Sequence, residues 1–151
     1  MSRSRPYSRT LERLQAAGLR PTRQRLALGR LLLDGRDRHV TAEQLHAEAR
    51  AERVSVSLAT VYNTLNQFTA AGLLREVVVE PGRSIFDTNV GDHYHFYHER
   101  TGELEDIDSD RVTVANLPTP PRGSKVARVD VVIRLSDAED DGAGSGEAVA
   151  G

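Results

Sequence analysis

The chain has 151 residues, 38% of them hydrophobic, enough for one good core or two small ones. It has no cysteine, which excludes disulfides and a thiolate zinc site. It also has no long apolar run or signal-like segment, so neither a membrane span nor secretion is expected and the cytoplasm is the default location.

The formal net charge of −2 hides an asymmetry, because residues 1–80 carry +5 and residues 81–151 carry −7. A basic first part suits a polyanion. The acidic second part suits a different task, such as holding cations or covering a subunit interface.

Residues 9–17 have the spacing of a short amphipathic helix stopped by Gly18. Pro21 and Thr22 open a second helix, with Leu26, Leu28, Leu31 and Leu32 as apolar positions and Gly35 at its end. Arg20, Arg23 and Arg25 lie near the junction of these helices, where they can reach phosphates or a minor groove. Thr41 and Gln44 make a capping-box pair that opens a third helix with Leu45 inward.

The fourth helix has both ends marked, by Ser57 as N-cap and Gly72 as terminator. Leu58, Val61, Leu65 and Phe68 recur at helical spacing and bury one stripe, whereas Thr60, Tyr62, Asn63, Asn66 and Gln67 fall largely outside it. That outer side is polar and uncharged. It suits contact with base edges and phosphates in a major groove, without the repulsion a carboxylate would suffer. Ser57, Thr60, Tyr62 and Asn63 are its candidate DNA contacts, and an ordinary amphipathic helix is the alternative.

The period then changes to two. Residues 74–79 form a strand, 80–84 hold a Pro-Gly turn, and 85–88 pair back. Three helices followed by a hairpin predict a winged-helix DNA-binding domain over residues 1–89, with the first helix as an extension. Strands are expected at 93–99 and 103–107, around a Thr-Gly turn. After the loop 117–123 with its three prolines, a long strand over 126–135 is expected to place Val129, Val131, Ile133 and Leu135 on one face.

A small sheet with no helix of its own to cover it calls for a second copy of the chain. Residues 90–136 are therefore read as a dimerisation and ligand-sensing domain. The fold class is α/β in the α+β sense, a winged helix followed by a small β-rich domain, and the acidic stretch 137–151 is read as a disordered tail.

Chemistry concentrates in Asp92-His93-Tyr94-His95-Phe96-Tyr97-His98. On a strand, His93 and His95 share one face and His98 takes the other. Two imidazoles on one face can share a divalent cation, with His39, Asp87 and Asp106 as further candidate ligands. An imidazole among these can instead ligate haem iron, with Tyr94, Phe96 or Tyr97 against the porphyrin. Exposed histidines with no ligand are the third option. The sequence has no His-Glu-x-x-His, no Gly-rich phosphate loop and no nucleophile elbow, so an enzyme is not expected.

The runs Gly18-Leu19-Arg20-Pro21-Thr22-Arg23-Gln24-Arg25 and Val56-Ser57-Leu58-Ala59-Thr60-Val61-Tyr62-Asn63-Thr64-Leu65, then Phe86-Asp87 and the histidine cluster, resemble the ferric uptake regulator (Fur) family in order and spacing over roughly residues 10–135. Within it, the helix carrying Asn63 is most similar to the haem-responsive branch, the iron response regulators (Irr).

The resemblance implies a homodimeric transcriptional regulator, mainly a repressor, of iron homeostasis and haem biosynthesis. It implies Arg20, Tyr62 and Asn63 at an operator in double-stranded DNA. By position it implies a regulatory metal site of His39, Asp87, His93, His95 and Asp106 for iron, manganese or zinc. It also implies haem at His93, His95 and His98. A conventional Fur-like repressor that needs a divalent metal as corepressor is the alternative.

The chain departs from the family pattern in four places. Asn63 stands where most members have Arg, and Tyr94 replaces an acidic ligand. His98 and Thr101 occupy the positions of a cysteine pair, and no histidine follows His98 to complete the family's second metal site.

Overall fold

Helix ends in the first half are set by side chains and by backbone handedness. In the computed structural model, which describes residues 7–138, α1 (Ser8–Ala16) is followed by α2 (Arg23–Leu33), α3 (Ala42–Ala51) and α4 (Leu58–Ala70). Thr22, Thr41 and Ser57 each accept a hydrogen bond from the backbone N–H three residues on, and Gln44 completes the capping box of α3.

At the far end of α4, Gly72 has φ +81°, and the N–H of Leu73 reaches back to the carbonyl of Phe68. This left-handed terminator turns the chain out of the helix, and an L side chain is strained in that conformation. Gly72→Ala should therefore lower stability by about 1 kcal/mol, read as a fall in the thermal midpoint, although a methyl group there has open space around it. The end of α3 has the same backbone arrangement with Arg53 at φ 59°, a position with no glycine to announce it.

The chain divides into two units, Met1–Gly91 and Asp92–Gly151. In the first, a sheet of order β1-β3-β2 is built from β1 (His39–Val40), β2 (Arg75–Glu80) and β3 (Arg83–Asp87), all antiparallel. The helices and the β2–β3 hairpin make a winged helix. Its core gathers the inward stripe of α4 (Val61, Leu65 and Phe68) with Leu14, Leu28 and Leu45 of the other helices, every one of them with no exposed surface. β1 is an element the hydrophobic pattern does not reveal, since two residues have no period. It exists because it pairs with the end of β3, and the Arg38 guanidinium holds its approach by bonding Glu48 and the Leu31 carbonyl.

The second unit has a sheet of order β5-β4-β6, from β4 (His93–His98), β5 (Glu103–Asp108) and β6 (Val132–Leu135), with a 3-10 turn at Ser109–Arg111. β4 pairs antiparallel with β5 and parallel with β6. The long strand expected over 126–135 is shortened to its last four residues. Its pairing is confined to His95–His98 of β4, and Val126 is 53% exposed. A strand bonded on one side only persists as far as its ladder does.

The expected tail 137–151 lies, from residue 139 on, outside the described residues. Among the described residues, no helix is long and apolar enough to cross a membrane.

Candidate DNA-facing surface and metal-ligating residues

The polar side of α4 stands clear of the core. Tyr62, Asn63, Asn66 and Gln67 are exposed, while Val61, Thr64, Leu65 and Phe68 are buried. A recess beside it is lined by Arg20, Thr22, Gln24, Arg25, Thr60, Asn63, Thr64 and Gln67. Two of the expected arginines, Arg20 and Arg25, and two expected α4 residues, Thr60 and Asn63, thus share one concave surface.

Arg25 is already engaged within it. Its Nε and Nη2 donate to Gln67 Oε1 at 3.2 and 3.0 Å, and its Nη1 donates to the Arg20 carbonyl at 2.9 Å. It braces the start of α2 against α4. Ser57 is likewise occupied, capping α4 through Thr60 N–H and donating to Thr60 Oγ1 at 2.9 Å. Arg23 is exposed and does not line the recess.

Two side-chain partners emerge on this side, one of which, Glu43, has no place in the sequence analysis. Gln67 is the partner of Arg25. Glu43, in the first turn of α3, accepts a 2.7 Å hydrogen bond from the Tyr62 hydroxyl. That bond holds the Glu43 carboxyl below its ordinary pKa and pushes the Tyr62 phenol above its own. The capping box fixes where Glu43 sits on α3, but 19 residues separate it from Tyr62.

The potential metal ligands fall on both units. In the first, the register of β1 on β3 sets His39 opposite Asp87, and His39 Nε2 lies 3.1 Å from Asp87 Oδ2. Asp87 has no exposed surface, and its other oxygen accepts from the Asn89 N–H at 2.9 Å. Arg75, also opposite Asp87 across the sheet, is buried and donates to the Gly91 carbonyl at 3.2 Å.

In the second unit, the two-residue period of β4 puts His93, His95 and Tyr97 on its buried side. His95 is the register partner of Asp106, so that carboxylate stands on the same face. Asp106 Oδ1 is 3.5 Å from His93 Nε2 and 3.4 Å from His95 Nε2, and the two imidazoles meet edge to face with centroids 4.5 Å apart.

His98 takes the opposite face, its Nε2 3.0 Å from Glu105 Oε2. Two of the three histidines named for haem therefore stand together, and the third is apart from them. Nitrogen and oxygen donors without sulfur, two of the imidazoles being 5% and 3% exposed, are a set that iron, manganese and zinc accept.

A model of the ferric uptake regulator family matches residues 16–133. The peroxide-responsive repressor PerR of Staphylococcus epidermidis is 34% identical over 94 residues, 62% of this chain and 62% of that protein. PerR of Staphylococcus aureus is equally similar, with 63% of its length matched. The chain thus spans somewhat under two thirds of the curated relatives it matches.

Among solved structures, the ferric uptake regulator of Pseudomonas aeruginosa, described with manganese, is 27% identical with a TM-score of 0.64. The match covers 84% of this chain and 96% of that one. The Vibrio cholerae ferric uptake regulator, 24% identical with a TM-score of 0.65 over 83% of this chain and 97% of that one, shares the fold.

Proposed function

This chain belongs to the ferric uptake regulator family, and we propose that it is a transcriptional regulator, chiefly a repressor, that binds double-stranded DNA as a homodimer and is activated by a divalent metal. The observation that carries the reading is the pair of buried imidazoles, His93 and His95, facing the exposed carboxylate of Asp106. Desolvating two imidazoles beside one carboxylate costs free energy that a shared cation offsets. The relatives support it in kind: PerR is named a repressor, and the Pseudomonas aeruginosa regulator is described with manganese.

His39 and Asp87 are the remaining proposed ligands. Asp87 ends β3 and His93 begins β4, so the connecting backbone limits their separation to roughly 20 Å. The bound cation supplies concentrated positive charge. Metal binding by the chain's own ligands is proposed to bias how α4 is presented. Arg20, Arg23, Thr60, Tyr62 and Asn63 are the proposed DNA contacts, with Arg25 and Ser57 holding the surface in shape. On this reading residues 1–89 meet DNA, and residues 90–136 pair the protomers and sense the ligand.

Haem control in the manner of the iron response regulators has less support, because the His93 and His95 imidazoles are enclosed and His98 stands on the other face beside Glu105.

The test is fluorescence anisotropy, at fixed salt, on duplexes selected by the protein from a random-sequence pool. Chelator-treated protein is titrated separately with Mn2+, Fe2+ and haem. Stronger binding with the divalent metals and indifference to haem is expected. Release by haem at concentrations near that of the protein, with indifference to metal, would overturn the metal reading. The absence of any sequence-specific, salt-sensitive binding would overturn the DNA function.

A further inference from the structure

An acidic side chain sits where a DNA-facing surface should avoid one. Glu43 is exposed at the start of α3, and it lines a recess with Thr41, Tyr62, Gly82, Arg83 and Ser84, where α3, α4 and the tip of the β2–β3 hairpin meet. Its carboxylate takes the only proton the Tyr62 hydroxyl can donate, at 2.7 Å, and Tyr62 itself remains 38% exposed. Arg83, at the hairpin tip, lies within the electrostatic reach of the same carboxylate.

Each contact removes a means of gripping phosphate. A tyrosine hydroxyl that donates to a carboxylate has no hydrogen left for a phosphate oxygen. An arginine beside a carboxylate is partly neutralised, and the carboxylate repels the DNA backbone. Non-specific binding is almost wholly phosphate electrostatics, whereas base readout rests on hydrogen bonds and apolar contacts in the groove. A negative charge at this place therefore weakens the first much more than the second, a repulsive device that sharpens discrimination.

We infer that Glu43 is a specificity-determining residue, holding Tyr62 so that its ring rather than its hydroxyl meets the DNA and suppressing the grip of Arg83 on phosphates of the wrong sequence. The inference rests on the proposed DNA-binding function. With its hydroxyl engaged, Tyr62 offers the ring to apolar groups such as thymine methyls, while the neighbouring Asn63 amide remains available for hydrogen bonding.

The test compares wild-type protein, E43Q, E43A, Y62F and Y62A on a duplex selected by the wild type in Mn2+ and on a scrambled duplex, across a salt series. E43Q keeps the side-chain length and an acceptor for Tyr62 while removing the charge. It should bind the scrambled duplex about three- to fivefold more tightly, with a salt slope steeper by roughly 0.9, and lose that factor in specificity. E43A should lose more specificity, since Tyr62 is also released. Y62F, which keeps the ring but loses the hydroxyl and its bond to Glu43, should lose clearly less on the selected duplex than Y62A, which should lose about tenfold or more.

Equal losses in Y62F and Y62A would show the hydroxyl on the DNA and overturn the inference, as would an unchanged specificity ratio in both Glu43 variants. Failure of the wild type to select any sequence would overturn the DNA-binding reading as well, so the two failures are distinguishable.

Discussion

Replacing His93 and His95 together by alanine should abolish the response of DNA binding to divalent metal. In the wild type, Mn2+ is expected to raise affinity for the selected duplex by about 5- to 150-fold, the range that a coupling of about 1–3 kcal/mol allows. The double variant should respond less than twofold. His93 and His95 supply both imidazoles that face Asp106, and without them the second unit offers a cation only that exposed carboxylate, a poor site by itself.

A second readout is independent of DNA. At Mn2+ about a hundredfold above its dissociation constant, binding to the folded state adds about 2.7 kcal/mol to stability, and the accompanying rise in thermal midpoint should vanish in the variant. H39A, which removes a ligand from the first unit, should weaken both responses without erasing them. A double variant that still tightens on DNA when Mn2+ is added would show that the regulatory cation sits elsewhere.

The elements legible in the sequence are those whose signals are local. The capping box of α3 and the two ends of α4 were written within a few residues of themselves, and both bonds of the box are present. The division of α4 into a buried stripe and an exposed polar side follows from its 3.6-residue period. β1 escaped because its only reason to be a strand is the partner strand 46 or more residues away. β6 was overestimated because alternation of apolar residues continues past the point where a neighbour is available to bond.

The candidate sites divide along the same line. That His93 and His95 share a face is a consequence of strand geometry. That Asp106 stands beside them depends on the register of a hairpin, and that His39 meets Asp87 depends on the unforeseen β1. The Tyr62–Glu43 and Arg25–Gln67 bonds join residues 19 and 42 apart, and no periodicity or motif announces either. Long-range polar pairs of this kind are set by packing after the helices have formed, so they become visible only in three dimensions.

The largest effect on stability is expected from Phe68→Ala. Phe68 has no exposed surface and lies on the inner side of α4, its ring 3.7 Å from where a Cβ on Gly29 of α2 would stand. Gly29 is what lets the helices come this close, since a Cβ there would also fall 2.7 Å from the Thr10 methyl of α1. The phenyl ring thus fills a space closed by glycine and by backbone on one side, a wall that cannot move inward to refill it.

Truncation in such a place costs about 3–5 kcal/mol, the transfer term plus the unfilled cavity. For a domain of this size that is a fall of more than about 12 °C in thermal midpoint, and it takes up a large part of an ordinary stability of about 5–15 kcal/mol. Circular dichroism of the helical signal should report it cleanly, because the four α-helices found among the described residues lie in the first unit. Asn66→Ala, on the exposed side of the same helix, should stay within about 0.5 kcal/mol of wild type. A Phe68→Ala variant melting within about 4 °C of wild type would mean that the core closes over the gap and that α4 is held by something other than this contact. If the loss is as large as expected, Phe68→Ala should also weaken DNA binding without touching DNA. Tyr62 and Asn63 can meet base edges in register only while the opposite side of α4 is anchored, and the anchoring ring lies on the far side of the helix from the surface proposed to read them.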